Sequence, residues 1–236
     1  MTTASAIIIM VICECMIILV LALSPTPFRM RGIGVVLNML AIAIFGQGMM
    51  DVGFGVSNIT NVCFAAAVAA QCVILERHGP QGARTSIPMV QLSVAAFFLL
   101  SWAIGLFPAV PGNDANEHIR ALVTHAPTVM VASFASFFLS QEILIRVWRR
   151  LVDAGLSPAK RCMLAAFACQ AIDTPVFFIT AFSHVLPPMV LSDAMAVGFL
   201  VKCAVGVVMA PVVVVAIDLP ERVAGLRLQL DDWSAK

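Results

Sequence analysis

The sequence contains little charge. Asp, Glu, Lys and Arg make up only 11% of its 236 residues, whereas about 25% is usual in soluble domains. Hydrophobic residues make up 61%, and the mean hydropathy is +1.00. This composition excludes an ordinary soluble domain and predicts an integral membrane protein that lies in a lipid bilayer. The net charge of +1, without a stripe of Lys or Arg, argues against nucleic acid as a partner.

The sequence also lacks the common patterns of metal binding and catalysis. Its seven cysteines lie in or beside apolar runs and form no C-x-x-C pair, so we expect small hydrophobic packing residues rather than disulfides or a zinc site. H-E-x-x-H, a nucleophile elbow and a Walker loop are absent. We therefore predict that the protein is not an enzyme and uses no cofactor or metal.

Long apolar segments dominate the chain. A bilayer core of about 30 Å requires roughly 17–25 apolar residues in a helix. We expect an all-α transmembrane bundle that forms one domain over residues 1–236, with six helices as the alternative to seven. Glycines at 46, 48, 53 and 55, with Asp51 between them, also allow a broken or re-entrant stretch over residues 46–55. The predicted spans are Ile7–Leu23, Ile33–Met50, Asn61–Glu76, Ile87–Val110, Thr128–Trp148, Cys162–Leu186 and Ala194–Ile217.

The loops between these segments alternate in charge. Lys and Arg gather in the first, third and fifth loops, most densely over residues 149–161. The positive-inside rule then predicts an external N-terminus and a cytoplasmic C-terminus. We interpret Ile7–Leu23 as a retained helix rather than a signal peptide, because no Lys or Arg precedes it and Glu14 interrupts it.

The sixth predicted span carries polar residues near its middle. An ionisable side chain in hydrocarbon costs roughly 2.5–3.5 kcal/mol on insertion scales, so it is usually paired or faces a polar cavity. Here the polar side chains and one aromatic ring recur at helical spacing and share one face, which predicts a small binding surface. The residues of this stripe are Gln170, Asp173, Thr174 and Phe177.

Lys202, on the last span, is the candidate partner of Asp173. At about 1.5 Å per residue, Asp173 lies roughly 18 Å above the basic loop before its helix, and Lys202 lies roughly 24 Å above the cytoplasmic end of its own. A lysine side chain can cover the difference. We predict that both face one interior space, either as a structural ion pair or bridged by a ligand.

Other candidate site residues lie on the remaining spans. Gln141 shares a helix face with Ser133 and Phe137 and is the strongest of them. Glu76 lies at the cytoplasmic edge, where a charge that snorkels to the surface is an equal alternative. The additional candidates are Asn61, Phe64, Gln71, Glu76, Ser133, Phe137 and Gln141.

The stripe and its partner lysine resemble a known family. The stripe is similar to the Gln-x-x-Asp-Thr-x-x-Phe motif of the vitamin uptake transporter family, better described as bacterial queuosine-precursor transporters. Lys202 and Pro211 are similar to that family's final-helix lysine and proline.

Two further stretches resemble the same family. The span with Gln141 is similar to a family helix that carries Ala-Ser, an aromatic residue and Ser-Gln in turn. The run from Glu76 to Gly79 is similar to the family's acid, aromatic, glycine signature. Cys72 and Leu144 stand where the family has aspartates. The resemblance covers roughly Asn61 to Ile217 and leaves the first predicted span outside.

The resemblance implies uptake of 7-cyano- or 7-aminomethyl-7-deazaguanine across a bacterial inner membrane. A guanine-like edge presents N–H donors to a carboxylate and a carbonyl to an ammonium group, and its face suits an aromatic ring. We predict that Asp173 accepts from the donor edge, that Lys202 donates to the carbonyl, and that Phe177 or Phe137 stacks. Glycine and alanine on several helices permit a homodimer. The alternatives are transport of another small heterocycle or vitamin, and a membrane scaffold with structural buried charges.

Overall fold

The protein is almost entirely helical. The computed structural model describes residues 3–22, 32, 35–42, 48–53, 55–58, 60–105 and 114–234. Within them the helices are α1 (Thr3–Ala22), α2 (35–42), α3 (Asn61–Gly105), α4 (Asp114–Asp153), α5 (Pro158–Phe182) and α6 (Pro188–Ser234). Two short strands, β1 (Met49–Asp51) and β2 (Val56–Asn58), lie between α2 and α3.

Within the described residues, four helical stretches are long and apolar enough to cross a membrane. They are Asn61–Leu100, Pro127–Asp153, Pro158–Phe182 and Pro188–Pro220, and α1 adds a shorter apolar stretch, Ile7–Val20. The predicted polytopic helical bundle is thereby confirmed. The count of seven spans and the sidedness of the termini stay predictions.

Helix α3 reverses direction at Gly79. At about 1.5 Å per residue, its 45 residues would extend roughly 68 Å if straight, about twice the bilayer core. Gly79 has φ 66° and ψ −175°, a region that glycine alone occupies readily. The Ser86 hydroxyl donates to the Gln71 amide oxygen at 3.0 Å, a contact that requires the two halves to lie side by side. The predicted third and fourth spans fall on these halves as far as Gly105.

Replacing Gly79 with alanine is expected to lower the free energy of unfolding by about 1–3 kcal/mol, because a Cβ is strained at this φ and ψ. The added methyl group would meet no atom within 4 Å, so the cost is one of backbone conformation alone. Gly206→Ala is the matched control, since that Cβ would make an ordinary 3.8 Å contact with Ala166. Thermal unfolding in detergent measures both variants; equal midpoints would contradict the assignment.

A β-hairpin replaces the end of the predicted second span. Met49 and Met50 pair with Asn58 and Ser57 in antiparallel strands, so the prediction of one helix from Ile33 to Met50 is wrong at its C-terminal end. Residues 43–47 of that span lie outside the described part of the chain. The alternative of a broken stretch around the glycines is the right one.

Hydrogen bonds within the turn of this hairpin pair two of its backbone amide groups. The Gly53 amide donates to the Asp51 carboxylate at 2.7 Å, and the Val52 amide donates to the Gly55 carbonyl at 2.9 Å. Two backbone donors of the turn are thereby paired within the hairpin itself. A Cβ on Gly55 would come within 2.6 Å of Val197 Cγ2, so only glycine allows the turn to lie this close to α6.

The remaining helices enclose a common interior. Residues 154–157 join α4 to α5 in a tight turn in which Gly155 has φ 70°, so these two helices run antiparallel. Helix α5 packs against α4 and α6, and α3 packs against both of those helices as well. Helix α1 packs on α6 and α3. The polar stripe of α5 therefore faces the centre of the bundle.

Candidate functional site

A buried ion pair lies at the centre of the bundle. Lys202 Nζ is 2.6 Å from Asp173 Oδ2 and 3.4 Å from the Thr174 hydroxyl oxygen. The two charged side chains are 2% and 1% exposed. Asp173 and Lys202 therefore face one interior space, as their depth along the two helices predicts, and they contact each other directly. A pair this buried has lost its hydration, so each charge depends on the other.

The ion pair opens on a cleft between the helices. The cleft is narrow, and its volume of about 10 Å³ leaves room for about one water molecule. Residues from α2, α3, α4, α5 and α6 contribute to it. The lining residues are Met39, Ile42, Thr60, Asn61, Phe64, Ser133, Ser136, Asp173, Phe177 and Lys202.

Two aromatic rings border the charged pair. Lys202 Nζ lies 4.7 Å from the centre of the Phe64 ring, a cation–π contact. The Phe177 ring packs edge-to-face on Phe178 and Phe182, with centroids 5.6 and 5.9 Å away. The neighbouring rings therefore hold Phe177 in place, and the cleft combines flat apolar surfaces with opposite charges.

Several buried polar atoms near the cleft lack a hydrogen-bond partner among the described residues. Asp173 Oδ1 and Ser133 Oγ belong to cleft-lining side chains, and Gln170 Oε1 and both amide atoms of Gln141 share this property. An unsatisfied buried polar group costs about 1–3 kcal/mol. Asp173 Oδ1 and Ser133 Oγ lie in one cleft and therefore point to a ligand or to water that completes their hydrogen bonds.

The two glutamines extend the polar surface beyond the cleft. The Cys169 thiol lies within hydrogen-bonding reach of the Ser140 side chain, which sets the register of α4 against α5. At about 1.5 Å per residue, Gln170 lies about 4.5 Å along α5 from Asp173, and Gln141 lies about 12 Å along α4 from Ser133. Both glutamines are displaced towards the turn that joins these two helices.

The β-hairpin positions the start of α3 beside the cleft. The Asn61 amide donates to the Ser57 hydroxyl at 2.7 Å, and the Thr60 backbone amide donates to the Asn58 side-chain oxygen at 2.8 Å. These contacts satisfy backbone and side-chain donors at the first turn of the helix. Asn61 and Thr60 are thereby held in the cleft wall.

A sequence profile of the vitamin uptake transporter family matches residues 58–216. This range begins at the last residue of β2 and ends within α6, so it contains both charged residues of the cleft, Asp173 and Lys202. The chain belongs to the vitamin uptake transporter family. It is therefore a multi-pass membrane protein of a small-molecule uptake family, and membership favours transport over catalysis. No curated protein and no solved structure matches the sequence significantly.

Six of the twelve predicted site residues line the cleft. They are Asn61, Phe64, Ser133, Asp173, Phe177 and Lys202. Thr174 touches Lys202, and Gln170 lies one helical turn from Asp173 in the same buried stripe. Gln141 is fully buried on α4 beyond the cleft.

Three predicted site residues lie elsewhere. Phe137 packs in the hydrophobic core and is not part of the cleft wall. Gln71 joins the two halves of α3, donating to the Ala83 carbonyl and accepting from Ser86. Glu76 pairs with Arg161 at 2.7 Å beside a second cavity of about 430 Å³. The structure does not bring these three side chains to the ion pair.

Four residues that line the cleft were not predicted from the sequence. Ser136 lies one turn from Ser133 and Thr60 precedes Asn61, so neighbouring predictions gave a weak signal for both. Met39 and Ile42 are apolar side chains on α2 with no distinguishing pattern. Among the described residues, no group of three His, Cys, Asp or Glu side chains is arranged to hold a metal ion.

Proposed function

We propose that this transporter takes up a queuosine precursor, 7-cyano- or 7-aminomethyl-7-deazaguanine, across a bacterial inner membrane. The observation that supports the proposal most is the Asp173–Lys202 pair, which opens on an aromatic cleft in the middle of the membrane bundle. The sequence resemblance to queuosine-precursor transporters points to the same substrate.

The charges match the hydrogen-bonding edge of a guanine-like base. That edge carries N–H donors next to a carbonyl, and a carboxylate beside an ammonium group is its complement. Asp173 Oδ1 has no partner among the described residues and is available to accept an N–H. Lys202 turns from Asp173 Oδ2 to the carbonyl, and the second carboxylate oxygen then accepts a second N–H. Each charge thereby exchanges one partner for another, so neither is left unpaired.

The aromatic rings provide the flat contacts that a base requires. Phe177 is the stacking residue that we retain from the sequence prediction, because it lines the cleft and Phe137 does not. Phe64 contacts Lys202 and also lines the cleft. An aromatic pair contributes roughly 0.5–1.5 kcal/mol beyond the area that it buries.

The cleft has to widen before a base can bind. It admits about one water molecule between its walls, which is far less than a bicyclic ring occupies. We interpret this arrangement as a closed state in which Lys202 and Asp173 satisfy each other. A substrate that replaces their mutual contact shifts the population towards an open state, which is the behaviour required of a transporter.

Ligand binding to the purified protein is the direct test of this proposal. At a concentration of 100 times its dissociation constant, a bound ligand stabilises the folded state by about 2.7 kcal/mol. We expect 7-cyano-7-deazaguanine to raise the thermal unfolding midpoint in detergent, with guanine and a set of unrelated vitamins as comparisons. A shift with a different heterocycle alone would reassign the substrate. No shift with any of them would favour a scaffold whose ion pair is purely structural.

Uptake in cells unable to synthesise the precursor tests the role of Asp173. Asp173→Asn removes the negative charge that accepts both donors, so we expect uptake to fall by at least about tenfold, the effect of losing 1.4 kcal/mol or more of binding. Asp193→Asn, at an exposed position near the start of α6, is the matched control. Full uptake by Asp173→Asn at equal protein level would refute the proposed recognition.

A further inference from the structure

Helix α1 carries a buried carboxylic acid that the proposed substrate site does not use. Glu14 is 8% exposed and lies on the same face as the buried Ile18 and Ala22. The opposite face of α1 is exposed, for example at Ile12 and Met16. Glu14 therefore points into the bundle rather than towards lipid.

The surroundings of Glu14 contain no positive charge among the described residues. Its carboxyl group is hydrogen-bonded to the side chains of Asn38 on α2 and Cys63 on α3. Its second oxygen, Oε2, has no partner in the described part of the chain. Next to Glu14 in the chain, the Cys15 thiol donates to the Met209 sulfur of α6 at 3.6 Å. Among the described residues, the side chains of Asn38, Cys63 and Cys15 that surround the carboxyl group are thus neutral in their ordinary form.

The Glu14 cluster lies directly behind the wall of the cleft. Asn38 precedes Met39, and Cys63 precedes Phe64; both following residues line the cleft. Because the cleft is too narrow for a base, its walls have to part when one binds, and Met39 and Phe64 belong to these walls. A shift of either residue would change the contacts that Asn38 and Cys63 make with the Glu14 carboxyl group, which is a physical route between the two sites.

We propose that Glu14 is a proton-binding site that couples uptake to the proton gradient. A carboxylate without a cationic partner in the membrane interior is costly, and one proton on the free oxygen removes its charge. The proton is taken from water on one side of the membrane, binds to Oε2, and is released on the other side after the cleft reopens. Glu14 lies outside residues 58–216, so this site belongs to the part of the chain that the family profile does not match.

This proposal rests on the proposed function, because it requires a base to move through the cleft. Transport into reconstituted vesicles tests the coupling to protons. An inward proton gradient of about one pH unit drives about tenfold accumulation when one proton moves with each substrate. We expect the unaltered protein to accumulate labelled 7-cyano-7-deazaguanine. Glu14→Gln, which mimics the protonated acid, should still exchange the base across the membrane but lose the accumulation. Accumulation by Glu14→Gln equal to that of the unaltered protein would overturn the coupling role.

Infrared spectroscopy tests the proton site without any substrate. We expect the unliganded protein, labelled with ¹³C at glutamate side chains, to show the carbonyl stretch of a buried carboxylic acid that disappears as the pH is raised. The band should be absent from Glu14→Gln and retained in Asp193→Asn. A band that persists at every pH, or none at all, would show that Glu14 exchanges no proton and would overturn the proposal. Because this result does not involve the base, it separates failure of the proton site from failure of the proposed substrate.

Discussion

Replacing Lys202 with methionine is expected to lower the free energy of unfolding by about 3–5 kcal/mol and to abolish uptake. The ammonium group is the only charged partner of Asp173 among the described residues. Its removal leaves a carboxylate that is 1% exposed without a counter-charge, which is the most damaging way to break a buried pair. Thermal unfolding in detergent and uptake in cells measure the two effects.

The double variant Lys202→Met/Asp173→Asn separates the structural and ligand roles of the pair. Replacing both charges removes the unpaired carboxylate, so the stability should largely return. Uptake should stay lost if the charges bind substrate. A double variant that recovers both stability and uptake would show that the pair only orders helices α5 and α6.

A surface pair provides the control for this series. Arg84 and Glu142 approach to 3.2 Å, but their side chains are 45% and 22% exposed. Arg84→Met should therefore cost no more than about 1 kcal/mol, because solvent screens the pair. If Arg84→Met lost as much stability as Lys202→Met, burial would not be the reason for the greater importance of the Asp173–Lys202 pair.

Replacing Gln141 with leucine is expected to stabilise the protein by about 1–3 kcal/mol while lowering uptake. The side chain is fully buried, and neither amide atom has a hydrogen-bond partner among the described residues. An apolar residue of similar volume removes two unsatisfied polar atoms, each of which carries a desolvation cost. Gain of stability with loss of activity is the usual sign of a polar residue retained for function.

Gln71→Leu is the matched control for this prediction. Gln71 is equally buried but donates to the Ala83 carbonyl and accepts from the Ser86 hydroxyl, each at 3.0 Å. Its replacement should destabilise the protein, because it removes the two buried hydrogen bonds that join the halves of α3. Unfolding midpoints of the two variants in one detergent compare them directly. A destabilised Gln141→Leu would indicate that its amide is bonded in the folded protein and would remove it from the candidate site.

The membrane bundle and the centre of the candidate site could be predicted from the sequence alone. Hydropathy over 17–25 residues is a local property, so it identifies spanning helices without knowledge of their neighbours. Helical periodicity is equally local, and it placed Gln170, Asp173 and Phe177 on one face. The depth of Lys202 followed from counting residues along straight helices, which is why its pairing with Asp173 was within reach of sequence reasoning.

Which polar residues share that space depends on how the helices pack against each other. Gln71 and Gln141 give the same signal in sequence, an amide in an apolar helix, yet one joins the halves of α3 and the other is left without a partner among the described residues. The reversal at Gly79 and the register of α4 on α5 decide between these outcomes, and neither is encoded in the periodicity of a single helix. The same reason applies to Met39 in the cleft wall and to Glu14 behind it. Their roles depend on which helix faces them, and that is a property of packing between helices.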